Sequence, residues 1–122
     1  EADHVEANFN LANVLEEEGD DRGALAHYRR ALAADPLYPD LHINLALLYE
    51  KLVRERPACD HWRRYLQLDP RGSWAEVARS RLKRDSEKAE ARRNAKGRLA
   101  IALGHGSAIR GCIHEAVDLG NG

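Results

Sequence analysis

Residues 10–36 read NLANVLEEEGDDRGALAHYRRALAADP, and residues 44–70 read NLALLYEKLVRERPACDHWRRYLQLDP. The second stretch is the first displaced by 34 positions. Asn10, Leu11 and Ala12 fall on Asn44, Leu45 and Ala46, Glu16 on Glu50, Arg22 on Arg56 and Ala24 on Ala58. His27 falls on His61, Arg29 and Arg30 on Arg63 and Arg64, Leu32 on Leu66, and Asp35-Pro36 on Asp69-Pro70. Of the 32 pairs that start at Val5 and Pro39, twelve are identical, where ordinary composition gives roughly two or three. Leu15 with Tyr49 and Tyr28 with Trp62 are conservative exchanges. A period of this length marks units that cannot bury their apolar faces alone and stack on one another to do so.

Each unit reads as two helices. Leu11, Val14 and Leu15 recur at helical spacing until Gly19-Asp20-Asp21 interrupts them. Ala24, Leu25, Tyr28, Ala31 and Leu32 resume the period, and Asp35-Pro36 ends it. In the second unit Leu41, Leu45, Leu48 and Tyr49 mark one helix and Ala58, Trp62, Tyr65 and Leu66 the next. Pro57 stands near the start of that last helix, where proline is tolerated. The spacing predicts helices near 5–18, 22–34, 39–52 and 56–67, with Tyr28, Leu45 and Trp62 in the core.

Leu11-Ala12, Leu15, Ala24, Tyr28, Ala31 and Pro36, then Leu45-Ala46, Tyr49, Ala58, Trp62 and Pro70, resemble the tetratricopeptide repeat. The resemblance covers residues 5–70 and implies a short all-α solenoid, with repeats at 5–38 and 39–72 and a C-terminal capping helix. Asn8 and His42 replace the expected large aromatic, and Tyr65 stands where the first unit has the small Ala31.

Two repeats leave an outer face to cover, and Ser73-Trp74-Ala75-Glu76 begins where a third unit would. Ser73 and Glu76 have capping-box spacing, and Trp74, Val77, Ala78 and Leu82 form one apolar stripe, so a capping helix from about residue 74 is expected. Large apolar side chains stop between Lys83 and Arg98, which leaves a basic extension of the cap over 73–98, either projecting or loosely ordered. Residues 99–122 are punctuated by glycine and read as a weakly ordered tail or a short docked helix at 107–118.

Composition narrows the function. Nineteen basic and twenty acidic residues give a net charge of −1. No apolar run of about eighteen residues is present, so no membrane partner is expected. No secretory pattern opens the sequence, which points to the cytoplasm, and the excess of Arg over Lys points to a GC-rich bacterial source. There is no methionine, even at position 1, so a longer parent chain is expected. Cys59 with His61 and Cys112 with His114 lie two apart and diverge on a helix, so no metal and no other cofactor is expected. Gly104-His105-Gly106 lacks the context of a phosphate loop, and no nucleophile stands beside a base, so the chain reads as a non-enzyme.

The resemblance implies a concave groove lined by the first helix of each unit. Phe9, Asn10, Asn13 and Glu17 would line it from the first unit, and Ile43, Asn44, Leu47 and Lys51 from the second. Asparagine suits an extended peptide because its amide both donates and accepts. One branch of the family grips C-terminal carboxylates with Lys and Arg, but Phe9, Trp74 and Ala78 stand in those slots here. Glu6, Glu16, Glu17, Asp40 and Glu50 rim the groove instead, so the expected partner is a neutral or basic protein or peptide, not an acidic tail. Charge is also split: residues 1–50 carry net −8 and residues 51–122 net +7, which favours head-to-tail self-association. Arg79, Arg81, Lys83, Arg84, Arg92 and Arg93 form a basic patch. Binding of an anion or nucleic acid through residues 79–98 is a further alternative, with nucleic acid disfavoured because no aromatic side chain interleaves the bases.

Overall fold

Five helices follow one another in the computed structural model, which describes residues 4–103. They are α1 (Val5–Glu17), α2 (Asp21–Ala34), α3 (Pro39–Lys51), α4 (Glu55–Leu68) and α5 (Ala75–Leu103), with no strand among the described residues. The expected short helix at 107–118, with Cys112 and His114, lies outside the described residues.

α1 packs on α2, α3 on α4, and α5 against α4. The paired helices approach closely because the contact positions are alanine: Ala12 and Ala24 are fully buried, as is Ala46, and Ala58 is nearly so. One core cluster joins α1, α2 and α3 through Ala12, Tyr28, Ala31, Leu41, Leu45 and Leu48. A second joins α3, α4 and α5 through Ile43, Ala46, Trp62, Tyr65, Ala78 and Leu82. α3 serves both clusters. It buries seven residues, where α1 buries only Asn8 and Ala12. Tyr28, Leu45 and Trp62 are all buried, and burying each side chain contributes about 1.5–3 kcal/mol.

The turns that join paired helices are the same structure built twice. In the first, the Gly19 N–H donates to the Glu16 carbonyl and the Asp20 N–H to the Leu15 carbonyl. In the second, Val53 N–H donates to Glu50 and Arg54 N–H to Tyr49. Both are helix ends that need a left-handed residue. Gly19 supplies it at φ 88°, and Val53, 34 positions on, adopts φ 58° despite its branched side chain. Val53 is 81% exposed, so no burial offsets that conformation. α2 is capped by the Asp20 carboxylate, which accepts from the Gly23 N–H at 2.9 Å.

The cap differs from expectation in two ways. The Ser73–Glu76 capping box is not formed. Instead the Tyr65 hydroxyl accepts the Trp74 N–H at 3.2 Å and donates to Asp69 at 3.4 Å. The large side chain at the slot held by Ala31 in the first unit thus sets the entry to α5. The helix also continues through the polar stretch to Leu103. Arg92 pairs with Glu55 at 3.1 Å, so α5 runs antiparallel along the whole of α4. Cys59 is buried on α4.

His42 and His61 join α3 to α4 from inside. His42 Nε2 donates to the Pro36 carbonyl at 2.7 Å, which leaves its Nδ1 to accept from His61 Nδ1 at 2.9 Å. The His61 ring stacks on Tyr49 at 5.7 Å. Both rings are neutral in this arrangement. Burial pushes His61 down to about 4, helped by its neighbours His42 and Arg29. Burial lowers His42 as well, against the pull of the Pro36 carbonyl and with help from Arg64.

Two outcomes follow from the fold. Val53→Gly should raise the unfolding free energy by about 0.5–1 kcal/mol, since left-handed strain outweighs the added freedom of glycine; chemical denaturation measures it. The histidine pair stabilises the neutral folded state, so that contribution is complete above the unfolded histidine value near 6.5 and is lost as pH falls toward about 4. The loss from His61 should be on the order of 2–3 kcal/mol. Unfolding at stepped pH should show it, and His61→Gln should flatten the slope.

Candidate protein-binding groove

The first helices of the two hairpins lie beside each other, and a cleft of about 400 Å³ opens along them. Asn13, Glu16 and Glu17 of α1, Tyr28 of α2, and Asn44, Leu47 and Lys51 of α3 line it. Of the residues expected in a groove, the cleft brings together Asn13, Glu17, Asn44, Leu47 and Lys51. Phe9, Asn10 and Ile43 fall outside it. The Phe9 ring stacks on Tyr38 at 5.5 Å and meets Tyr28 edge-on at 6.0 Å. Ile43 is buried against α4 and α5, and Asn10 is exposed beyond the cleft.

A polar knot closes the base of the cleft. The Tyr28 hydroxyl donates to Asn13 Oδ1 at 2.5 Å and lies 3.2 Å from Glu16 Oε1. Asn44 Nδ2 donates to the same Asn13 oxygen at 3.0 Å and lies 3.4 Å from the Tyr28 hydroxyl. Burial pushes the Tyr28 hydroxyl well above its ordinary value, and the Glu16 carboxylate pushes it the same way, so the group stays a donor. Sequence reasoning placed Tyr28 in the core alone. Its ring is buried, but its hydroxyl belongs to the site. The signal for this was present: Tyr28 and Trp62 occupy one slot, and each carries a donor on a large ring.

The second unit repeats this contact. Trp62 Nε1 donates to Glu50 Oε2 at 2.8 Å, where the Tyr28 hydroxyl lies 3.2 Å from Glu16 Oε1. Each glutamate then meets a cation from a later helix. Lys51 Nζ lies 3.7 Å from Glu16 and 3.1 Å from Asp21. Arg81 Nε lies 3.3 Å from Glu50, with its guanidinium 5.9 Å over the Trp62 ring. Hydrogen bonding to Asp21 raises Lys51, so it remains charged. The acidic rim is therefore partly neutralised from within, and Glu17 is the acid of the cleft that stays exposed.

Two polar atoms of the knot are left over. Asn13 uses only its oxygen and Asn44 only its nitrogen among the described residues. The Asn13 amide N–H₂ and the Asn44 carbonyl are thus an unused donor and an unused acceptor at the cleft, with Leu47 as its apolar wall.

The basic residues of α5 are dispersed. Arg79 donates to the Pro70 carbonyl at 2.6 Å, Arg81 meets Glu50, and Arg92 meets Glu55. Lys83 and Arg84 are exposed and Arg93 half-buried, and helical spacing spreads the six around the axis. Among the described residues no cluster of three metal-ligating side chains exists, and no helix is long and apolar enough to cross a membrane.

Residues 12–53 match the family model of the TPR, or tetratricopeptide, repeat. No curated protein matches the chain. The match runs from mid-α1 to the end of the turn after α3, and so spans every residue of the cleft. Tetratricopeptide repeats generally mediate protein–protein interaction and are typically non-catalytic scaffolds.

Tyr28→Phe removes the donor that holds Asn13 and Glu16 while keeping the ring. It should cost about 0.5–1.5 kcal/mol in denaturation with helicity unchanged; a neutral result would show that the knot contributes nothing to stability.

Proposed function

We propose that the chain is a binding module in which two repeats, 5–38 and 39–72, closed by the helical cap at 73–98, hold an extended segment of a partner protein in the cleft between α1 and α3. The unused Asn13 donor and Asn44 acceptor carry this reading. An extended backbone offers a carbonyl and an N–H to match them, and such a pair carries no preference for side-chain sequence. Leu47 supplies apolar contact, and Glu17 favours a ligand without acidic side chains. Lys51 is held by Asp21 and Glu16, and Phe9 and Trp74 are occupied by ring contacts, so no free cation grips a terminal carboxylate in this cleft. No catalysis is proposed.

Selection from a random displayed-peptide library tests this. Peptides recovered on the chain should be depleted in Asp and Glu. Against a selected peptide, Asn44→Ala should lose about 0.5–1.5 kcal/mol of binding by fluorescence anisotropy, with thermal stability checked alongside. Asn10→Ala, outside the cleft, should leave binding unchanged. Equal losses at both positions would remove the cleft as the site.

A further inference from the structure

The repeat itself shows what the outer face of α1 is shaped to receive. Leu41, Leu45 and Leu48 of α3 are fully buried in one cluster with Ala24, Tyr28 and Ala31 of α2. Their counterparts 34 positions earlier are Ala7, Leu11 and Val14. These lie on one stripe of α1 and are uncovered: Ala7 is exposed, Leu11 is 43% and Val14 48% exposed. The same positions that seat a helix in the second unit thus seat nothing described in the first. Acids surround the stripe. Glu6 and Glu18 are exposed beside it, and α1 contains no Lys or Arg.

A matching surface exists elsewhere on the same chain. α5 outruns α4: Arg92 already pairs with Glu55 at the first residue of α4, so about eleven residues at roughly 1.5 Å each extend past it. Along this end of α5 Ala91, Ala95 and Leu99 recur every fourth residue, all exposed, with Leu99 at 59%. Arg93, Lys96 and Arg98 lie along the same stretch, and residues 91–103 contain no Asp or Glu. Small residues let a second helix approach closely, as Ala24 and Ala31 do against α3, and the bases answer the acids of α1.

We infer that the outer face of α1 docks the distal part of α5 from a second copy of this chain, a head-to-tail contact. The two surfaces differ, so each copy keeps one α1 face and one α5 face open and association continues into a ring or filament. Pairing α1 with α1 would set acid against acid. One helix laid on another is a small interface, so the association is concentration-dependent. It is separate from the cleft between α1 and α3 and stands or falls independently of it.

Sedimentation velocity on the whole chain tests this with two variants at exposed positions, Leu11→Arg with Val14→Arg on α1, and Ala95→Glu with Leu99→Glu on α5. Circular dichroism confirms that each retains its helices. The unaltered chain should grow in mass with concentration in about 0.05 M salt, and the midpoint should move about tenfold higher in about 0.5 M salt. Each variant alone should be a monomer. Their equimolar mixture should form a dimer and nothing larger, because one α1 face and one α5 face remain. A monomer at every concentration up to about 1 mM in low salt would overturn the inference and leave the face to a segment of a longer chain. Dimers of the α5 variant alone would overturn it in favour of α1 on α1. A mixture that stays monomeric while the unaltered chain associates would overturn the assignment of the two faces.

Discussion

The close approach of paired helices at alanine holds the rest of the structure in place. Buried Ala12 and Ala24 in the first unit, and buried Ala46 and Ala58 in the second, let two backbones come near enough for longer side chains to reach across. Only at that separation does the Tyr28 hydroxyl reach Glu16 and Asn13, and Trp62 Nε1 reach Glu50. A larger residue at any of the four would push the helices apart and break the part-buried polar network between them. The cleft depends on the same spacing, because its base is that network.

Within this frame the two units solve one problem with different residues. Between the paired helices the first unit places Asn8 Oδ1 3.0 Å from His27 Nδ1, and the second places His42 Nδ1 2.9 Å from His61 Nδ1. Position is kept and chemistry changes: an amide pair partner is indifferent to pH, whereas a second imidazole adds a group that must stay neutral. The turns show the same pattern. Gly19 takes a left-handed conformation without steric cost, and Val53 is forced into it by the same two hydrogen bonds. The hydrogen-bonded shape of the turn therefore dominates over the local preference of the residue in it.

Charge is distributed by the same logic. Glu16, Glu50 and Glu55 each meet a cation from a later helix, Lys51, Arg81 and Arg92. The acidic first helices and the basic last helix are partly matched within one copy.

The amino-acid sequence by itself determined the repeat, the helices and their order, because a 34-residue period and helical apolar spacing are written in one dimension. It also placed Tyr28, Leu45 and Trp62 in the core and Asn13, Asn44, Leu47 and Lys51 on the helices that line the cleft. It did not separate Asn10 from Asn13, or show Phe9 and Ile43 turned into packing, since a few tens of degrees about a helix axis decide between groove and core. The Ser73–Glu76 motif was legible, yet the Tyr65 hydroxyl took its place, because a side chain from α4 arrives there only after the chain has folded back. Tertiary structure alone decided the Asn13–Tyr28–Asn44 knot, the paired histidines and the cation at each glutamate. Each joins residues between 12 and 37 positions apart, and the geometry that brings such residues within 4 Å is set by helix packing, not by any neighbour in the chain.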